Sequence, residues 1–152
     1  MDIEQRIQRL EDIQEIEKLT FQYAAYCDDN YNPDGIANCF TEDGVWVVDG
    51  EGGSNNGREE IREHFRQLSQ HISWAIHIVT NMRIDVHEDG KSATSHSYLL
   101  CFCTIGEDAV VLTLNYTNQF VKQDGKWFFK ELRGSTHQVS NWDQGWVKQK
   151  FR

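Results

Sequence analysis

Proline occurs once in this chain of 152 residues, methionine twice, and no apolar run approaches the ~20 residues that a membrane-spanning helix requires. So little proline excludes a proline-rich linker and removes the commonest interruption of helices and strands. Positive charge is also scarce: 15 Lys and Arg face 24 Asp and Glu, for a net charge of −9. That balance excludes the basic footprint of a nucleic-acid binder or of a basic membrane-surface protein. The four cysteines, Cys27, Cys39, Cys101 and Cys103, form no Cys-x-x-Cys pair, and the six histidines form no His-x-His or His-xxx-His pair. A metal site is therefore not expected, nor is a cofactor. Residues 50–57 are glycine-rich but lack the spacing and context of a nucleotide loop, and read as a hairpin end or a lid. No nucleophile elbow occurs. The N-terminus opens on a charged amphipathic pattern rather than a signal sequence, which predicts a cytoplasmic protein with reduced, buried thiols.

What the chain does have is aromatic weight and clear periodicity. With 39% hydrophobic and 12% aromatic residues it is an ordered globular protein, and its length predicts a single domain, 1–152. Ile3, Ile7, Leu10, Ile13, Ile16, Leu19, Tyr23 and Tyr26 recur every three or four residues, predicting one long helix that ends at Cys27-Asp28-Asp29-Asn30. A short helix is expected at 34–40, a strand at 45–49 and a second long helix at 58–69. From Trp74 the period switches to two. Strands are predicted at 74–86, 92–105, 109–122 and 126–137, separated by turns rich in Gly, Asp and Glu. Helices followed by consecutive antiparallel strands mean an α+β fold with helices on one side of a curved sheet. The tail, 138–152, carries Trp142, Trp146 and Phe151, which suit packing over the domain or against a neighbouring subunit.

Two residues stand out chemically. His77 interrupts the apolar start of its strand, between Ile76 and Ile78, and so faces a core, a cavity or a partner. Asp28 sits at a helix C-terminus, where a carboxylate opposes the macrodipole. A carboxylate bonded to one ring nitrogen would fix the imidazole tautomer and leave the other nitrogen as a base. A satisfied core histidine and a solvated turn acid are the alternatives. Weaker candidates are His96, as a second imidazole; Tyr116 and Trp46, as pocket lining; Leu68, Ile72, Leu112 and Leu114, as an apolar wall; and Arg133, facing a substrate anion or in an ion pair.

The order and spacing of several short motifs carry a resemblance. They are Tyr23-xxxx-Asp28, Phe40-Thr-Glu-Asp-Gly-Val-Trp46, Gly57-Arg-Glu-Glu-Ile61, His77-xx-Thr80-Asn81 and Asp124-Gly-Lys-Trp127. Over residues 5–138 the chain resembles the SnoaL-like branch of the NTF2-like superfamily, whose fold is an α+β cone around a hydrophobic cavity. The resemblance is nearest to its cofactor-free lyases: scytalone dehydratase, bile acid 7α-dehydratase and hexachlorocyclohexane dehydrochlorinase. It implies an Asp28–His77 dyad that removes a proton from carbon, with Tyr23 polarising a carbonyl as in the bile acid enzyme. The dehydrochlorinase has a lysine where this chain has Tyr23, and an arginine aligned with Leu132. Those departures point to loss of water rather than of chloride. The implied protein is a cofactor-independent dehydratase-type lyase acting on a hydrophobic, cyclic small molecule, and a homodimer or homotrimer. The rival readings are an isomerase or cyclase using the same dyad, and a ligand-binding or assembly domain without turnover.

Overall fold

A computed structural model of the chain describes residues 1–50 and 53–152. Helix α1 spans Ile3–Asp28, opened by Asp2, whose side chain accepts from the Gln5 N–H while the Gln5 side chain accepts from the Asp2 N–H. A short α2, Pro33–Ala37, follows with its proline at the helix start, where no N–H is needed. Strand β1, Phe40–Val48, forms a hairpin with β2, Gly53–Asn56; residues 51 and 52 of the expected loop lie outside the described residues. Helix α3, Arg58–His71, leads into four long strands: β3 Ile72–Val86, β4 Ser92–Ile105, β5 Asp108–Gln123 and β6 Lys126–Asn141. A single turn, α4 Gly145–Lys148, closes the chain.

The six strands form one curved, unclosed sheet in the order β2-β1-β6-β5-β4-β3. Among the described residues the strand pairings are antiparallel except β1 with β6, which is parallel. The architecture is α+β, as the periodicity predicts. Two expectations need correction. The short helix ends at Ala37, not at residue 40, because β1 begins at Phe40 against Phe129. Strand β6 continues past His137 to Asn141, inside the stretch assigned to the tail.

Curvature comes from irregular register. The β1–β6 pairing shifts between Phe40 and Val45, and β3 bulges between Thr80 and Arg83, with Asn81 at φ 54°. Gly44 makes the first irregularity possible, since a Cβ there would lie 2.8 Å from the Phe40 Cβ and 3.0 Å from the Thr41 carbonyl oxygen. The concave face receives α1 and α3. Its packing centres on Phe40, Phe65, Phe120 and Phe129, with Ile16, Ile36, Ile61 and Leu132 between them, all buried. The N-terminal part of the α1 stripe is not covered: Ile3, Ile7 and Leu10 are exposed. No helix among the described residues is long and apolar enough to cross a membrane.

A buried charge ties α1 to the sheet. Asp12, on α1, is 2% exposed and accepts from Lys122 Nζ at 2.7 Å, Trp127 Nε1 at 2.9 Å and Gln8 Nε2 at 3.3 Å. Removing one member of such a pair strands its partner in low dielectric. Asp12→Ala should lower unfolding stability by about 3 kcal/mol in urea denaturation, and Asp12→Asn by less, because an accepting oxygen remains.

Candidate active site

Strand β3 is the last strand of the sheet, so one edge of its backbone has no strand partner. Helix α1 runs along it, and the end of the helix supplies an acceptor: Asp28 Oδ1 takes the His77 backbone N–H at 2.8 Å. The same oxygen lies 2.8 Å from His77 Nδ1. One carboxylate oxygen thus holds both the strand edge and the ring. With Nδ1 directed at the carboxylate as the donor, Nε2 is left as the basic nitrogen. The His77 side chain is only 8% exposed, whereas the Asp28 side chain is 33% exposed, so the dyad points from solvent towards the interior.

What surrounds the ring was not readable from residue types. Cys101, opposite His77 on β4, places Sγ 3.9 Å from Nε2. Tyr31 stands edge-on to the imidazole at 5.6 Å and stacks on Phe65 at 5.9 Å. Its position depends on a turn in which Asn30 and Tyr31 both have φ 51°, a left-handed conformation that costs an aromatic residue of order 1 kcal/mol or more. The turn-forming residues Asn30, Asn32, Pro33, Asp34 and Gly35 around Tyr31 signal a reversal, but nothing in their spacing places the ring beside His77. His64 packs against Trp46 with the rings tilted and their centroids 4.6 Å apart, with burial pushing its pKa down and its Nε2 unpartnered among the described residues.

Deeper in the interior, Trp46 Nε1 donates to the Tyr23 hydroxyl at 2.9 Å, and Tyr116 is buried in the same core. Burial pushes the pKa of both tyrosines well up, so both are neutral phenols able to donate. Leu112 and Leu114, with Val48, Val139 and Phe151, line a cavity of about 510 Å³ whose polar margin is Asp49, Thr136 and Arg152. Leu112 is the β5 partner of Cys101, which itself faces His77, so the apolar wall adjoins the dyad across the sheet. Leu68 and Ile72 pack half-buried against the core at the α3–β3 junction.

Two candidates fall outside this interior. His96 lies on the outer face, because the alternation of β4 turns Ser95, Ser97, Leu99 and Cys101 inward. It borders a polar hollow with Asn81, Arg83 and Tyr98 instead. Arg133 also points outward, between the buried Leu132 and Gly134, and pairs with Glu131 at 2.9 Å. Since His96 and His137 are both exposed, the histidines do not converge, and no cluster placed to hold a metal occurs among the described residues.

The profile of the SnoaL-like domain matches residues 8–133. The chain belongs to the SnoaL-like family. Among solved structures, this SnoaL-like chain is similar to a candidate scytalone dehydratase from Novosphingobium aromaticivorans, at 22% identity and a TM-score of 0.81, covering 90% of this chain and 91% of that one. It is similar to a type 2 hexachlorocyclohexane dehydrochlorinase (LinA) at 21% identity and 0.82, covering 90% and 92%. The type 3 form of that enzyme, from Novosphingobium barchaimii, gives 21% and 0.80, covering 90% and 93%. At these identities the likeness establishes a shared fold. No curated protein matches.

All four cysteines are free and buried. Burial raises the Cys27 thiol and pushes Cys39 up to about 12, while Cys101 is held protonated by its hydrogen bond with Cys103 and by burial. Titration with a disulfide reagent at pH 8 should therefore find Cys27, Cys39 and Cys101 at least about 100-fold slower than free cysteine, with all four thiols reacting after unfolding.

Proposed function

We propose that this SnoaL-like protein is a cofactor-independent lyase of the dehydratase kind. In this reading Asp28 and His77 remove a proton from carbon in a hydrophobic, cyclic substrate. The observation that carries it is the doubly engaged Asp28 Oδ1, 2.8 Å from both the backbone N–H and Nδ1 of His77, which leaves Nε2 turned inward. The names of the structural relatives, a candidate scytalone dehydratase and two dehydrochlorinases, support an elimination reaction.

The steps balance with the residues present. Nε2 of His77 takes a proton from the carbon next to a carbonyl, and the C–H electron pair passes into an enolate. Asp28 stabilises the imidazolium so formed, and the neutral phenol of Tyr23 donates to the enolate oxygen. The electrons return to form the C=C bond as the β C–O bond breaks. The imidazolium gives its proton to the departing hydroxide, which leaves as water. Loss of water fits better than loss of chloride: Tyr23 and Leu132 are both buried and uncharged, and the neighbouring Arg133 faces solvent. With His96 on the outer face, His77 serves as both base and acid. That single-base arrangement equally suits an isomerase that returns the proton to another carbon, in which case substrate and product masses are equal.

A panel of cyclic β-hydroxy ketones, followed by mass spectrometry for loss of water, tests the reading. On a substrate so found, His77→Ala and Asp28→Asn should each lower kcat/KM by about 100-fold or more with the circular dichroism spectrum unchanged. Full activity in either variant would refute the dyad. Tight binding without turnover across the panel would favour the ligand-binding reading.

We also infer a homodimer or homotrimer through the outer sheet face. Trp74, Ile76, Ile78 and Tyr98 are exposed on one side of β3 and β4, with Trp142 against Phe102 beside them. Large apolar side chains grouped on one exposed sheet face suit a protein–protein contact. Ile76→Glu or Ile78→Glu should convert the assembly to monomer in sedimentation velocity; a monomeric parent protein would overturn the inference.

A further inference from the structure

Beyond Tyr23 and Tyr116 the concave wall turns polar in a way that neither the packing nor the dyad explains. Ser95 and Asn118 face each other across β4 and β5, and Ser97 faces Tyr116 in the next inward-pointing pair. The three residues are 0%, 1% and 3% exposed in the order Ser95, Asn118, Ser97. The hydroxyls of both serines, and both the oxygen and the nitrogen of the Asn118 amide, find no hydrogen-bond partner among the described residues. By contrast, the buried polar groups on either side are satisfied. Trp46 bonds Tyr23, Thr20 Oγ1 donates to the Ile16 carbonyl at 2.9 Å, and Asp12 is bonded three ways.

Four orphaned atoms in one patch cannot stay dry in a stable fold, because each forfeits its hydration without compensation. The set is also self-consistent as a site. Two hydroxyls that donate or accept, one amide donor and one amide acceptor match groups that do both. The charged residue on this face of the two strands, Lys122, is already paired with Asp12, so a bound ion would be left uncompensated. We propose that Ser95, Ser97 and Asn118 form a subsite for neutral oxygen groups, filled by ordered water or by hydroxyl or carbonyl oxygens of a bound molecule. This stands whether or not His77 acts as a base.

The strand supplies a ruler. Ser97 lies four residues along β4 from Cys101, the partner of His77, which at about 3.3 Å per residue is roughly 13 Å. A molecule that touches both His77 and Ser97 must be two or three fused rings long and oxygenated at its far end. A single-ring ligand leaves the subsite to water.

A crystal structure of the full chain at high resolution, with and without soaked 2,6-dihydroxynaphthalene, decides between the sources. The proposal expects oxygen atoms at about 2.7–3.2 Å from the Asn118 amide and from at least one of the two serine hydroxyls. A naphthol oxygen replacing one of them would make the subsite part of ligand recognition; unchanged waters would make it a permanent hydration site. The second measurement is thermal unfolding of Asn118→Leu, which replaces the amide with an apolar group of similar size. Held oxygens predict a Tm unchanged or lowered. A wall without oxygens in the crystal, or a Tm raised by about 2 °C or more, overturns the proposal, because a dry orphan is relieved by that substitution.

Discussion

The structure depends on what one carboxylate oxygen does at the edge of a sheet. A strand at the end of a sheet leaves backbone donors open to solvent or to another chain, and here α1 covers that edge. Asp28 completes the cover by accepting the His77 N–H. An acid at a helix C-terminus works against the helix dipole, at a cost of roughly 0.3–1 kcal/mol. Two charge-assisted hydrogen bonds at 2.8 Å, each worth about 1.5–3 kcal/mol, outweigh that cost. The contact that anchors helix to sheet is therefore the same one that orients the imidazole. Removing the Asp28 side chain loses both roles together, whereas Asp28→Asn keeps an acceptor for the backbone N–H and His77→Ala keeps the backbone donor.

The second constraint is the division of the sheet into an apolar inner wall and an apolar outer wall, with alternation deciding what belongs to each. On β4, Leu99 and Cys101 go inward while Tyr98 remains exposed. On β3 the bulge at Asn81 resets that alternation, so that Val79 and Ile84, an odd number of residues apart, both pack against the core. Where alternation is unbroken and one face is plainly apolar, the sequence is easily read: β4 has the bounds its periodicity predicts. At two other irregularities the reading stops short, although the strand predicted at 74–86 runs through the bulge at Asn81. The expected end at His137 coincides with a register shift between the pairs Thr113–Gln138 and Leu114–Thr136, past which β6 continues. The expected start of β1 at Val45 coincides with the irregularity that Gly44 permits.

The site was legible to a similar degree and for the same reasons. A polar residue within an apolar strand marks His77, and a carboxylate in the wrong place on the helix dipole marks Asp28. Neither mark states that the two meet, which follows from the path of α1 over 49 residues of separation. His96 could not be oriented because Ser95, His96 and Ser97 are all polar, so alternation offers no contrast across that stretch. Arg133 follows a buried leucine and precedes a buried glycine, and the absence of a glycine side chain hides the inward parity. Tyr31 and Cys101 were missed because an aromatic in a turn and a cysteine in a strand are ordinary until their neighbours in space are known.

The one parallel pairing has a bearing on synthesis. Strand β1 is made early, yet its partner along the inner sheet is β6, about 85 residues later in the chain. Until β6 emerges from the ribosome, β1 has only the four-residue β2 to pair with, and Phe40 and Trp46 have no strand to close over them. Antiparallel β3 to β6 can form successively as each hairpin is completed. The nascent chain therefore holds its first third unfinished until the last strand arrives, which makes this a fold of high contact order with a late-closing seam.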